Sequence, residues 1–335
     1  MTKLLLAAAL AAAVAVGAWA LFLRSSDFGH PILVGALEDA VKLPETELID
    51  QRVDLAEQAG FNMLNVTTLW MPGLTEPDSD EIDILSSVEA AATRRGMRLL
   101  ITVQATRPRY APLEDAQQEE FAAFMATLAR ALPTVRNFAV WNEPNLNGFW
   151  LYQYDDLGNN IAVPAYTSLL ARSYDALKEV SPEIVVYGGN LAPRGADNPE
   201  STRHTQSPTG FIREMGRAYR ASGRATPIMD VFAIHPYLER SSLPPDTEHP
   251  EGTAIGIADY DKLVGLLGEA FDGTAQPGSE LPVAYTEFGV QTEIPEDAQA
   301  QYLNLDSPSV RTRSTRRPRR STTARRSSSP CASRR

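Results

Sequence analysis

The sequence predicts an α/β chain folded as a (β/α)8 TIM barrel whose eighth repeat is missing. Three observations carry that prediction. Seven short apolar or β-branched runs alternate with six longer amphipathic stretches, which is the order of βα units. The connections are short and evenly spaced, favouring parallel strands closed into a barrel over an open doubly wound sheet, the alternative architecture. No GxGxxG or phosphate-binding glycine loop follows the first run, which weakens the nucleotide-binding form of that alternative. At 335 residues and 43% hydrophobic, the chain can hold one barrel of roughly 250 residues plus extensions.

Taken in order, Lys3 precedes an uncharged apolar run from Leu4 to Leu23, and Arg24-Ser25-Ser26-Asp27 follows. This reads as an export segment over residues 1–26, either a signal peptide cleaved near Ala18-Trp19-Ala20 or an uncleaved anchor with a cytoplasmic N-terminus. The barrel domain is expected over residues 27–306. Its strands are predicted at Ile32 to Leu37, Asn62 to Thr68, Arg98 to Val103, Asn137 to Trp141, Ile184 to Gly188, Met229 to Ile234 and Pro282 to Thr286. Helices are predicted between them at Glu47 to Ala59, Glu81 to Arg95, Glu114 to Ala131, Pro164 to Val180, Gly210 to Ala221 and Asp259 to Ala270. Each repeats apolar residues at three- and four-residue spacings. Gly60, Gly96 and Gly273 mark helix exits, where a left-handed residue ends the helix.

After Asp306 the composition changes abruptly. Residues 307–335 contain ten arginines, no acidic residue and little apolar material. Such a segment cannot offset its ordering entropy and is expected to be a disordered basic tail in place of the eighth repeat. A shifted reading frame would produce it; a genuine basic tail that binds anionic surfaces is the alternative.

The formal net charge of −11 conceals this division, since the remainder is more acidic still. An acidic body offers no continuous basic surface, which argues against a nucleic-acid partner and favours neutral substrates. The single cysteine, Cys331, lies in the tail, and the four histidines are scattered. No cofactor and no metal site is therefore expected.

In a (β/α)8 barrel the chemistry sits at the C-terminal strand ends, where side chains from different loops converge. The fourth predicted strand runs into Trp141-Asn142-Glu143-Pro144-Asn145, and the seventh into Thr286-Glu287-Phe288-Gly289. Each places a carboxylate at an apolar strand terminus, where a structural ion pair, with Arg107 or Arg109 for instance, or a catalytic role would explain it. Two carboxylates facing each other across a barrel suit glycosidic bond cleavage, one donating a proton to the leaving oxygen and the other attacking the anomeric carbon. His235-Pro236-Tyr237 ends the sixth strand, Asn190 follows the fifth and is expected to point into the cleft as a substrate-binding residue, and Trp70, Trp141, Phe149 and Trp150 lie at or just past strand ends. Aromatic faces there can stack on sugar rings, and Trp70 and Trp150 are the candidates.

Asn-Glu at the fourth strand and Glu at the seventh resemble the signature of clan A glycoside hydrolases, the four-seven superfamily of retaining enzymes. Within that clan the motifs are similar to those of the cellulase-type and xylosidase-type families. The resemblance implies Glu143 as acid/base, Glu287 as nucleophile and Asn142 as a partner of the sugar 2-hydroxyl. It also implies that Tyr237 orients the nucleophile and that His235 sits near the acid/base. Two departures stand out. The arginine usual near the second strand and the histidine near the third are absent from Thr67-Thr-Leu-Trp70 and Gln104-Ala-Thr-Arg107, and the eighth-strand aromatic is missing with its repeat.

The expected activity is a retaining O-glycoside hydrolase acting on an extracellular or cell-wall polysaccharide or glycoside. The expected location is secreted, or anchored on the outer face of the cytoplasmic membrane with possible membrane attachment through the N-terminal segment. The competing reading is a truncated, catalytically inactive barrel that binds carbohydrate. An aldolase or metal-dependent barrel is disfavoured, because Lys3, Lys42, Lys178 and Lys262 fall away from the predicted strand ends. Retention requires the Glu143 and Glu287 carboxyls to face each other roughly 5 to 5.5 Å apart.

Overall fold

The computed structural model describes residues 32–240 and 243–289; the predicted export segment and the predicted basic tail lie outside them. The strands are β1 (Gly35–Leu37), β2 (Met63–Trp70), β3 (Arg98–Ala105), β4 (Asn137–Val140), β5 (Val185–Leu191), β6 (Val231–Ile234) and β7 (Val283–Tyr285). Between them run α1 (Thr46–Gln58), α2 (Ser79–Arg94), α3 (Asp115–Ala131), α4 (Ala162–Val180), α5 (Pro208–Ala221) and α6 (Tyr260–Phe271). The strands form one sheet in sequence order, and every pairing is parallel. The predicted βα order is thus the observed one, a barrel of seven repeats in which no eighth strand joins β7 to β1 among the described residues.

Local chemistry fixes the helix ends. Asp78 caps α2 by accepting from the Asp80 N–H, Glu114 and Gln117 form a capping box on α3, and Ser207 caps α5 ahead of Pro208. The exits at Gly60, Gly96 and Gly273 have φ of 88°, 66° and 78°, the left-handed turn that glycine enters without a Cβ penalty.

Strand alternation divides the core in two. Met63, Leu100, Ala139, Tyr187 and Ala233, one from each of β2 to β6, meet on the concave face and plug the barrel interior. The opposite face packs against the helices through a larger cluster that includes Leu64, Val66, Ile101, Val103, Phe138, Val140, Val186 and Phe232. Among the described residues no helix is long and apolar enough to cross a membrane.

The contact between α5 and α6 depends on Gly216. A Cβ there would lie 2.5 Å from the Ala270 carbonyl oxygen and 2.7 Å from its Cα, backbone atoms that cannot rotate aside. Gly216→Ala should therefore destabilise the fold by about 1–3 kcal/mol through overpacking. Gly265→Ala, on the exposed side of α6 with nothing within 4 Å, should instead add up to about 1 kcal/mol through helix propensity. Thermal unfolding of the two variants should move their midpoints in opposite directions; a shift of the same sign would refute this account of the interface.

Candidate active site

Glu143 reaches the concave face because the chain turns sharply after β4. Trp141 continues the ladder by donating its N–H to Val103 O at 2.8 Å, but its φ is 71° and that of Glu143 is 42°. Non-glycine residues in this region carry strain that surrounding structure must hold. Here the Glu143 N–H donates to the Asn190 carbonyl at 2.9 Å. On the far side, Glu287 follows β7 and His235 follows β6, whose N–H donates to Leu191 O at 2.9 Å.

The three side chains converge. His235 Nδ1 lies 3.0 Å from Glu143 Oε1 and 3.6 Å from Glu287 Oε2, and Tyr237 Oη donates to Glu287 Oε1 at 2.8 Å. Side-chain exposure is 3% for His235, 14% for Glu143 and 28% for Glu287, so the imidazole is buried while both carboxylates open onto the cleft. The two distances meet at one nitrogen, so those carboxylate oxygens are no farther apart than their sum. Asn142, half-buried beside Glu143, makes no side-chain hydrogen bond among the described residues. Arg107 and Arg109 do not pair with either carboxylate among these residues; the Arg109 guanidinium lies 5.2 Å over the Tyr110 ring.

Two expectations need correction. Trp70 and Trp150 are fully buried and offer no ring face to a ligand. Because Met63 points into the barrel, alternation along β2 sends Leu64, Val66, Thr68 and Trp70 toward the helices, where Trp70 packs edge-on against Phe121 at 5.4 Å. Trp150 is sandwiched between Trp141 and Tyr166 at 4.9 and 5.9 Å. Asn190 is also buried, with both ends of its side-chain amide bonded to protein: Nδ2 donates to Trp141 O at 2.8 Å, and Oδ1 accepts from Thr286 Oγ1 at 2.9 Å.

Other residues near the site were not anticipated. Thr286 holds the segment before Glu287, and Arg194 Nη1 donates to Tyr237 O at 2.7 Å. Buried Asn145 bonds Ala192 and Gln206. Asn145 and Thr286 lie inside the very motifs that flag the carboxylates, which is the signal that could have found them. On β2 and β3 the inner-face positions nearest the cleft are Leu69, which is exposed, and its register partner Gln104.

Neither a protein-family profile nor a curated protein matches this chain. Solved structures do. An exo-β-1,4-mannosidase from Opitutaceae bacterium strain TAV5 is 17% identical with a TM-score of 0.50, covering 84% of this chain and 50% of that one. A β-glycosidase is 14% identical with a TM-score of 0.51, covering 80% and 72%. The GH39 enzyme from Xanthomonas axonopodis pv. citri is 17% identical with a TM-score of 0.49, covering 78% and 51%. The chain thus spans about half the length of the mannosidase and of the GH39 enzyme. At these identities the likeness is one of fold, a barrel shared with glycoside hydrolases.

The segment from His235 to Asp259 carries two of the site residues and is tied down by His249. Its Nδ1 bonds Asp259 Oδ2 at 2.7 Å and its Nε2 lies 2.8 Å from Glu239 Oε1, while Lys262 Nζ donates to the carbonyls of His249, Gly252 and Ala254. Burial pulls the imidazole pKa down, but the hydrogen bonds to Asp259 and Glu239 outweigh it and the pKa is raised above 6.5. A raised folded-state pKa gives stabilisation that is complete below the unfolded value and is lost as pH rises through the folded one. The melting midpoint should therefore fall as pH rises above about 6.5, by an increment missing in His249→Ala. Parallel melting curves against pH for the two proteins would contradict the assignment.

Proposed function

We propose that the chain is a retaining O-glycoside hydrolase that cleaves an extracellular or cell-wall polysaccharide or glycoside by double displacement. The observation that carries this reading is the meeting of Glu143 and Glu287, from the ends of β4 and β7, at one nitrogen of His235. The bound on their separation admits the ~5–5.5 Å of retaining pairs and barely reaches the ~6.5–9.5 Å of inverting ones.

In the first step Glu287 Oε2 attacks the anomeric carbon while Glu143 protonates the glycosidic oxygen, so the bond to the leaving group breaks as the glycosyl ester forms. Tyr237 supports this by donating to Oε1, which leaves Oε2, 3.6 Å from His235 Nδ1, as the attacking oxygen. In the second step Glu143 takes a proton from water, whose oxygen attacks the anomeric carbon and releases Glu287. His235 Nδ1 contacts both carboxylates from a buried position. Asn142, whose amide makes no hydrogen bond among the described residues, is the partner for the sugar 2-hydroxyl. The export-type segment supports action outside the cytoplasm, in secreted or membrane-anchored form.

A carbohydrate-binding barrel without turnover is the second reading, favoured by the missing pairing between β7 and β1 among the described residues. Hydrolysis of a panel of aryl glycosides by the purified chain decides between them. Activity should be abolished in Glu287→Ala and fall roughly 10²- to 10⁴-fold in Glu143→Ala, in line with the usual worth of general acid/base catalysis. Proton NMR of the first-formed sugar should show retained anomeric configuration. No turnover by the intact chain would leave the binding reading, and an inverted product would overturn the nucleophile.

A further inference from the structure

Asn190 is hydrogen-bonded to both catalytic segments, and its contacts differ from those of a substrate ligand. It sits at the register shift between Gly189 and Leu191 in the β5–β6 pairing, with φ of 47°, a conformation asparagine tolerates better than most residues. From that bulge it makes three hydrogen bonds. Its carbonyl accepts from the Glu143 N–H at 2.9 Å. Its Nδ2 donates to the Trp141 carbonyl, two residues before Glu143, and its Oδ1 accepts from Thr286 Oγ1, one residue before Glu287. The amide orientation is fixed chemically, because the Trp141 carbonyl cannot donate a hydrogen bond. The side chain is buried and both its ends are engaged.

We infer that Asn190 is a positioning residue that sets the spacing of the Glu143 and Glu287 carboxylates by tying the ends of β4 and β7 to β5. The inference rests on the glycosidase reading for its effect on rate, but the geometry it assigns is independent of that reading. Neither carboxylate touches Asn190 by its own side chain. The control runs through the backbone that aims each one, and His235 Nδ1, in contact with both, reports on the result.

Two variants separate the tie from the fold. Asn190→Gly keeps the left-handed backbone and the carbonyl that accepts from Glu143 while deleting both side-chain bonds. Thr286→Val deletes only the bond on the Glu287 side. Both are prepared in the full chain, with folding verified by circular dichroism. The ¹⁵N resonance of His235 Nδ1 is expected to shift in each. For aryl glycosides, kcat should fall about a hundredfold in Asn190→Gly, the usual cost of a misplacement near 1 Å, with KM little changed. The fall should be steeper for poor leaving groups, which need the Glu143 proton most. A His235 resonance that stays put in the folded variants overturns the proposal whatever the rates do; if Asn190→Gly does not fold, Thr286→Val decides alone. A shifted resonance in a protein that turns over no glycoside upholds the positioning role and removes the glycosidase reading instead.

Discussion

The structure depends on how the junction of β4 and β5 is completed where their ladder stops. The paired residues end at Ala139 and Tyr187, yet the backbone beyond them stays buried and its polar groups still need partners. Side chains supply them. The Tyr166 hydroxyl accepts from the Gly189 N–H at 2.8 Å and donates to Val140 O, and burial raises its pKa so that the donating proton stays on. Asn145 takes the Ala192 N–H and donates back to the Ala192 carbonyl. An unmade bond at such a position would cost about 1–3 kcal/mol. The polar side chains allow β4 to leave the sheet early, turn through two left-handed residues and bring Glu143 into the cleft.

Gly189 shows how tight the arrangement is. With φ of 87°, a Cβ there would lie 2.7 Å from the Ala233 carbonyl and 2.8 Å from the Phe232 ring. Only glycine lets β5 and β6 approach at this point, so the phenol of Tyr166 and the end of β6 can both sit beside the same strand. Outside the sheet, a row of aromatic rings runs from Trp70 through Phe121, Trp141, Trp150 and Tyr166 to Phe211, with centroids 4.9 to 5.9 Å apart. It connects β2 and β4 to α3, α4 and α5. The strand ends are therefore held from behind by aromatic packing and joined to one another by buried polar bonds, and the carboxylates stand on a rigid rim.

The repeats were legible because βα order is written in two separable periods, and the helix exits because glycine has few other reasons to fall there. The carboxylates were legible because an ionisable side chain ending an apolar strand is costly unless it is used or paired. The orientation of Trp70 was not. The predicted β2 stopped at Thr68, whereas the strand runs through Trp70, and only the register against β3 shows that the ring lies on the helix side. The Asn190 bulge was hidden for a related reason: a register shift is a relation between two strands and leaves no mark on either. His249, Glu239 and Asp259 meet through loop closure, which no local pattern encodes.

The chemistry of the cleft follows from what surrounds the carboxylates. Neither Glu143 nor Glu287 has a lysine or arginine partner among the described residues; an imidazole and a phenol hydroxyl take that place. A guanidinium would bind each carboxylate strongly in its charged form and hold it there, which suits structure but, on the glycosidase reading, not a group that must give up and recover a proton in each cycle. The inner-face residues at the rim of β2 and β3, Leu69 and Gln104, add no cation either. On the glycosidase reading, such a cleft suits a neutral sugar, whose apolar ring face can lie against Leu69 while its hydroxyls reach Asn142 and Gln104.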